Sequence, residues 1–171
     1  VVKRYDIDGV HFDDYFYPYK IAGKEFPDYG SYNKYGNGMS KDNWRRSNTD
    51  SIISMLSAVI KRENPKCQFG ISPFGVWRNI DKDTVNGSRT NGAQTNYDDL
   101  YADILKWVRN GWVDYVLPQI YWNIGFPPAD YSELLGWWST YVRDQHLYIG
   151  HAAYKVGENK EVAWQQPGEI P

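Results

Sequence analysis

Residues 6–18 read DIDGVHFDDYFYP, and this stretch decides the class of fold. Val10 and Phe12 alternate with more polar residues, which is typical of a β-strand that buries one face. Short apolar segments of the same kind recur further along the chain. They complete a set of four predicted strands, at residues 6–15, 68–74, 113–122 and 147–154.

Three segments with a helical period lie between these strands, in apolar stripes that begin at about residues 52, 100 and 131. The order βαβαβαβ predicts an α/β fold with about four parallel strands and right-handed crossovers. The strand-to-helix connections are long, at residues 16–49 and 75–96, whereas the helix-to-strand connections are short. Ligand sites of parallel α/β folds lie at the carboxyl ends of the strands, so the long loops favour a site there. Drift in loop length without function is the alternative.

Composition and charge exclude several classes of function. The chain has 171 residues, with 21 acidic and 19 basic side chains, and this balance argues against a nucleic-acid partner. It has no apolar run of about 18 residues, so we expect no membrane-spanning helix. Cys67 is the single cysteine and the three histidines are scattered. We therefore expect neither a disulfide framework nor a metal site, and no cofactor is indicated.

The length predicts a single domain over residues 1–171. The chain reaches its first predicted strand almost at once and stops at PGEIP, so we expect an excised piece of a longer domain. A complete small domain with frayed ends is the alternative. An excised sheet would leave open edges, which predicts self-association through exposed strands.

The first strand supplies the acidic residues of the predicted site. Side chains alternate along a strand, so His11, Asp13 and Tyr15 are expected on the inner face and Asp14 at the rim. A carboxylate at a buried strand end needs a partner or a use, because its desolvation is costly. The alternative is a structural role, with either carboxylate capping a loop or paired with a base such as Arg78. His11 could equally be a core histidine.

Polar and aromatic side chains follow the other three strands. Aromatic rings stack on the apolar faces of pyranoses while polar groups bond the hydroxyls, so this combination suits a sugar polymer. Most aromatic residues of the chain are expected in the core, and only those at the strand ends support this argument. The candidate substrate-binding residues of these strands are Trp77, Arg78, Gln119, Tyr121, Trp122, Tyr154 and Lys155.

Four motifs in order carry a resemblance to a known family. DGVHFDDYFYP, FGISPFGVWRN, VDYVLPQIYW and LYIGHAAYK resemble the glycosyl hydrolase-like 10 family, over nearly the whole chain. The resemblance implies a bacterial extracytoplasmic protein with a TIM-barrel catalytic domain. It also implies a glycosidase that cuts peptidoglycan glycan strands lacking stem peptides. The predicted strands would then be roughly the fourth to seventh of a partial (β/α)8 barrel, since a full barrel needs about 250 residues.

The expected chemistry is glycoside hydrolysis, which usually takes two carboxyl groups. Asp13 is the predicted catalytic carboxylate, with Asp14 next. Neighbours on one strand should point to opposite faces, so Asp13 and Asp14 cannot easily flank one glycosidic bond and the second catalytic group is not evident. The expectation of a hydrolase applies to the longer protein and leaves open whether this chain alone is active. A weaker resemblance to the family-18 chitinase strand aligns Asp13 with its third acid, but Tyr15 stands where the catalytic Glu belongs.

Two alternatives to a peptidoglycan hydrolase stay open. One is a carbohydrate-binding domain without chemistry. The other is a hydrolase of another exopolysaccharide built from N-acetylhexosamines.

Overall fold

A computed structural model describes residues 1–92, 94–157, 160–166 and 168. Two short 3₁₀ turns follow the last strand. The helices and strands in chain order are β1 (Gly9–Phe12), α1 (Tyr29–Tyr35), α2 (Lys41–Glu63), β2 (Gln68–Ile71), α3 (Ile104–Arg109), β3 (Tyr115–Val116), β4 (Gln119–Ile120), α4 (Tyr131–Tyr141), β5 (His146–Leu147) and β6 (Gly150–His151).

The main sheet has the strand order β1-β2-β3-β5, and every neighbouring pair is parallel. Spatial order follows chain order, as it does when βα units are added one after another around a barrel. The predicted α/β class with about four parallel strands is confirmed. The arrangement is that expected of part of a (β/α)8 barrel.

The third and fourth predicted strands are each divided into two pieces. β4 and β6 continue β3 and β5 and pair with each other in a separate two-stranded sheet. Pro118 lies between β3 and β4 and cannot donate a ladder hydrogen bond, which accounts for the break. Gln119 also bridges in parallel to Phe74 beyond the end of β2. The extra pieces extend the carboxyl edge of the sheet and carry Gln119 there.

The core lies between one face of the sheet and the helices. Phe69 and Ile71 of β2 are fully buried there, together with Val116 of β3, Ile53 of α2 and Leu105 of α3. Val10 and Phe12 of β1 pack against this cluster, whereas His11 and Asp13 are exposed. The predicted division of β1 into an apolar and a polar face is therefore confirmed.

Helix α2 begins much earlier than its apolar stripe predicts. Ser40 caps it by accepting a hydrogen bond from the backbone N–H of Asn43 at 3.3 Å. The first turns bury polar residues, including Thr49 and Asp50, which an apolar periodicity does not detect. Asp50 forms an ion pair with Lys106 at 2.6 Å and accepts a hydrogen bond from the indole N–H of Trp107 at 2.6 Å. Among the described residues, no helix is long and apolar enough to cross a membrane.

A buried ion pair ties the long loop after β1 to helix α2. Arg45 is only 3% exposed and donates to both carboxylate oxygens of Asp28, at 2.7 and 2.8 Å. It also donates to the hydroxyl of Tyr101 at 2.7 Å. Bidentate guanidinium–carboxylate pairs have a strict geometry, so this contact holds the returning loop against the helix.

The inner face of the sheet carries a row of residues in register across three strands. His11 lies opposite Gly70, and Gly70 lies opposite Tyr115. The ring of Tyr115 crosses above Gly70, stacks on His11 at a centroid distance of 5.7 Å, and its hydroxyl is 2.9 Å from His11 Nδ1. A Cβ atom at Gly70 would meet Tyr115 Cζ at 1.9 Å. Only glycine leaves room for this contact.

Gly70→Ala is expected to displace the Tyr115 ring and to lower the free energy of unfolding by about 1–3 kcal/mol, as overpacking does. The measure is hydrogen–deuterium exchange of peptides from β1, β2 and β3. Gly136→Ala is the matched control, because no atom lies within 4 Å of its added Cβ and alanine favours helix α4. Unchanged protection in Gly70→Ala would contradict the packing described here.

Candidate active site

The carboxylates of Asp13 and Asp14 lie side by side at the carboxyl edge of the sheet. The side-chain nitrogen of Gln119 is 2.8 Å from Asp13 Oδ1 and 3.5 Å from Asp14 Oδ1. The same nitrogen reaches the backbone carbonyl of Ser72 at 3.1 Å. The expectation that the two acids point to opposite faces is wrong. β1 ends at Phe12, so the alternation of the strand no longer governs them.

Asp13 is bonded to the protein through one of its two carboxylate oxygens. Its Oδ1 accepts from the Gln119 amide and, at 2.9 Å, from the backbone N–H of Asp14. In the described part of the chain no donor reaches its Oδ2, and the residue is exposed. A carboxylate held in this way can act on a ligand with its second oxygen without losing its position.

Asp14 is buried, contrary to its expected place at the rim, and is only 4% exposed. Burial raises the pKa of Asp14, and the adjacent Asp13 raises it further. The hydroxyl of Tyr19 donates to Asp14 Oδ2 at 2.6 Å and opposes this rise. Burial and the bond to Asp14 also raise the pKa of Tyr19, so its hydroxyl remains a donor.

Tyr19 is a site residue that the sequence did not reveal. It is one of three tyrosines at alternate positions after β1, with Tyr15 and Tyr17, and no local pattern separates them. Tyr15, a predicted substrate-binding residue, is 76% exposed and stacks on the Tyr19 ring at a centroid distance of 6.1 Å. The fold of the loop alone selects the tyrosine that meets Asp14.

Tyr19→Phe is expected to destabilise the protein by about 1–3 kcal/mol at neutral pH, because a buried carboxylate loses a donor. The loss also raises the pKa of Asp14 further. The folded state then holds a proton that the unfolded chain releases, so the destabilisation grows as pH rises through the carboxylate range. Chemical denaturation at about pH 4 and about pH 7 measures this. A destabilisation that is equal at both pH values, or that Tyr29→Phe at an exposed tyrosine reproduces, would contradict it.

An aromatic cleft opens beside Gln119. It has a volume of about 550 Å³ and mostly apolar walls. Three of its residues, Gln119, Tyr121 and Trp122, were predicted from the strand ends. The others were not, because they come from loops. The side chains that define the aromatic cleft are Phe74, Gln94, Gln119, Tyr121, Trp122 and Phe126.

Lys155 holds one wall of the aromatic cleft in place. Its ammonium group donates to the backbone carbonyl of Tyr121 at 2.7 Å and lies 5.1 Å from the ring centroid of the buried Trp164.

Burial raises the pKa of Tyr121, and the charges of Asp13, Tyr154 and Asp14 add to this. The phenol therefore stays protonated and can donate a hydrogen bond. Tyr154 itself is exposed.

Three predicted site residues lie away from Asp13, Asp14 and the aromatic cleft. Trp77 is buried and stacks on Trp137 at a centroid distance of 5.8 Å. Arg78 binds Asp98 through two hydrogen bonds of 2.9 and 3.0 Å, so it does not neutralise Asp13 or Asp14. His11 lies within β1 on the inner face, before the carboxyl end of the strand, and is bonded to Tyr115.

No group of three or more potential metal ligands is found in the described part of the chain. Each histidine instead packs against a tyrosine: His11 against Tyr115, His146 against Tyr148 and His151 against Tyr131. The chemistry that this edge of the sheet offers is therefore that of carboxylates, an amide and phenols, next to a cleft lined by aromatic rings.

The chain matches one known protein family over most of its length. The model of the glycosyl hydrolase-like 10 family matches residues 1–166. This chain belongs to that family.

Two named relatives match the chain over nearly its whole length. It is 52% identical over 173 residues to "Glycosyl hydrolase YngK" of Bacillus subtilis (strain 168), covering 99% of the chain and 34% of that protein. It is 46% identical over 176 residues to "Glycosyl hydrolase DigH" of Escherichia coli (strain K12), covering 100% of the chain and 39% of that protein. The chain thus spans little more than a third of the length of these relatives.

Proposed function

We propose that this chain carries part of the active site of a glycoside hydrolase and that Asp13 is its catalytic carboxylate. The observation that carries the proposal is the Asp13–Gln119 pair beside the aromatic cleft, which Gln119 lines. It sets an exposed carboxylate oxygen beside a surface suited to pyranose rings. The family membership and the printed names of the relatives support the same reaction class.

In this proposal Asp13 Oδ2 faces the anomeric centre of the bound sugar. A carboxylate there stabilises the positive charge that develops in the oxocarbenium-like transition state, or attacks it. Gln119 holds Asp13 through its Oδ1, so the carboxylate does not have to reorganise during the reaction. Tyr121 and Trp122 hold the sugar in the aromatic cleft.

Asp14 is a positioning residue in this scheme. It is buried and bonded to Tyr19, which suits it to holding the loop and Asp13 better than to flanking a glycosidic bond. We assign the second catalytic carboxyl to the part of the whole protein that corresponds to the unmatched length of the relatives.

The proposed substrate is the glycan strand of peptidoglycan without stem peptides, and the proposed site of action is extracytoplasmic. The motif resemblance supports both. An unbranched strand of pyranoses also suits a cleft whose walls are mostly aromatic and apolar.

The test is release of new reducing ends from peptide-free peptidoglycan strands, followed by mass spectrometry, with the full-length protein that carries residues 1–171. Product fragments from these strands would support the proposal. Cleavage only of another N-acetylhexosamine polymer would overturn the substrate and keep the reaction class. Affinity for the strands without any new reducing end would favour a carbohydrate-binding domain and overturn the assignment of Asp13.

A further inference from the structure

We propose that the aromatic cleft binds an uncharged pyranose and rejects a sugar that carries a carboxylate group. This inference deepens the proposed function, since it names the sugar that lies beside Asp13. Three features carry it: the absence of cationic side chains from the described cleft walls, the carboxylate of Asp13 beside the cleft, and the size and polar groups of the cleft.

The described walls of the aromatic cleft carry no cationic side chain. None of the described residues that line it is a lysine or an arginine. Arg78 is paired with the carboxylate of Asp98. Lys155 keeps its charge but does not line the cleft, since its ammonium group is bonded to the backbone carbonyl of Tyr121 and lies against the ring of Trp164. A carboxylate on the bound sugar would find no partner, and an unpaired charge in an apolar cleft is costly.

Negative charge lies beside the aromatic cleft. Gln119 lines the cleft and donates to Asp13, so a ligand in the cleft lies next to this carboxylate. Burial raises the pKa of Tyr121 on the cleft wall, and the nearby charges of Asp13 and Asp14 add to this rise. A carboxylate on a sugar in the cleft would be repelled by this charge, and the repulsion is stronger where the pair is shielded from solvent.

The size and the polar groups of the aromatic cleft fit one neutral sugar. Its volume of about 550 Å³ falls within the usual range of small-molecule pockets, about 300–1,000 Å³. Gln119 commits its nitrogen to Asp13 and Ser72, which leaves its amide oxygen to accept a sugar hydroxyl. The amide of Gln94 lines the same cleft and can bond an acetamido group.

One consequence concerns the bond that is cut. In a strand that alternates neutral N-acetylglucosamine with acidic N-acetylmuramic acid, only the neutral sugar fits the aromatic cleft. The strand would then bind in a single register, and Asp13 would meet one of the two alternating linkages. A cleft that accepted both sugars would place either linkage at Asp13.

The test measures binding to the full-length protein that carries residues 1–171, with Asp13 unchanged, because the probes are monosaccharides and have no glycosidic bond to cut. The probes are N-acetylglucosamine and N-acetylmuramic acid, which differ by the lactyl ether and its carboxylate, titrated by saturation-transfer NMR. We expect N-acetylglucosamine to bind about tenfold more tightly, and Trp122→Ala to abolish this binding. Equal affinity for the two sugars, no binding of N-acetylglucosamine, or unchanged binding in Trp122→Ala would overturn the inference.

A positive charge added to the aromatic cleft shows whether the acidic sugar is rejected for its carboxylate or for its larger size. Gln94→Lys should reduce the preference for the neutral sugar at least severalfold. Gln68→Lys makes the same change at the start of β2, on an exposed residue at the other end of the sheet, and should leave the preference unchanged. If Gln94→Lys has no effect, or if Gln68→Lys has the same effect, the charge argument fails.

These outcomes are independent of the proposed function. Hydrolysis of peptidoglycan strands together with equal binding of both sugars would overturn only the inference. Selective binding of N-acetylglucosamine without any hydrolysis would overturn only the proposed reaction.

Discussion

Asp13→Asn is expected to lower the rate of glycan cleavage by about 10²- to 10⁴-fold, the range that a positioned acid–base group contributes. The asparagine can still accept the bonds from Gln119 and from the backbone of Asp14 through its amide oxygen. What it loses is the negative charge that faces the sugar. The measurement is the rate of reducing-end release by the full-length protein at saturating glycan.

The fold should survive this substitution, because Asp13 is exposed and its protein contacts need only one oxygen. Asp144→Asn is the matched control, since it makes the same change at an exposed aspartate that the structure places between α4 and β5. Hydrogen-exchange protection of β1 and β2 should be the same in both variants. A folded Asp13→Asn protein that retains its full rate would remove Asp13 from the mechanism.

Arg45→Met is expected to lower the free energy of unfolding by about 3–5 kcal/mol, since it leaves the buried carboxylate of Asp28 without its partner. Methionine keeps much of the length of the side chain but offers no donor. Among the described residues, Lys41 is then the one cation left within reach of Asp28, at 3.2 Å. Hydrogen exchange of peptides from α2 and from the loop after β1 measures the loss where it occurs.

Arg62→Met on the same helix is the matched control. Arg62 is exposed and pairs with its neighbour Glu63, so its loss should cost less than about 1 kcal/mol. The double variant Arg45→Met with Asp28→Asn should recover part of the loss, because the unpaired charge is removed as well. Equal losses in Arg45→Met and Arg62→Met would show that the buried pair does not hold the loop.

The Arg45–Asp28 pair also bears on the site. The loop that it ties down begins at Asp13 and contains Tyr19, so a loosened loop should weaken the hold on Asp14. We expect Arg45→Met to reduce glycan cleavage as well as stability, although Arg45 bonds to neither Asp13 nor Asp14. This separates it from Asp13→Asn, which should change the rate alone.

Local sequence was a good guide where one face of an element is apolar. The alternation of Val10 and Phe12 predicted which face of β1 is buried, and it placed His11 and Asp13 on the other. The same logic failed at Asp14, because β1 ends at Phe12 and the next residues follow a loop. It also failed at the start of α2, where buried Thr49 and Asp50 are satisfied by hydrogen bonds instead of apolar contacts.

Periodicity and loop length, which are local properties of the chain, were enough to predict the α/β class, the parallel order of the strands, and the edge of the sheet at which polar and aromatic residues gather. They did not predict that Gln119 bonds Asp13, that Tyr19 bonds Asp14, or that Trp77 and Arg78 face other partners. Such contacts join residues that are distant in sequence or lie in irregular loops, where the path of the backbone and the burial of each charge select one partner among similar side chains.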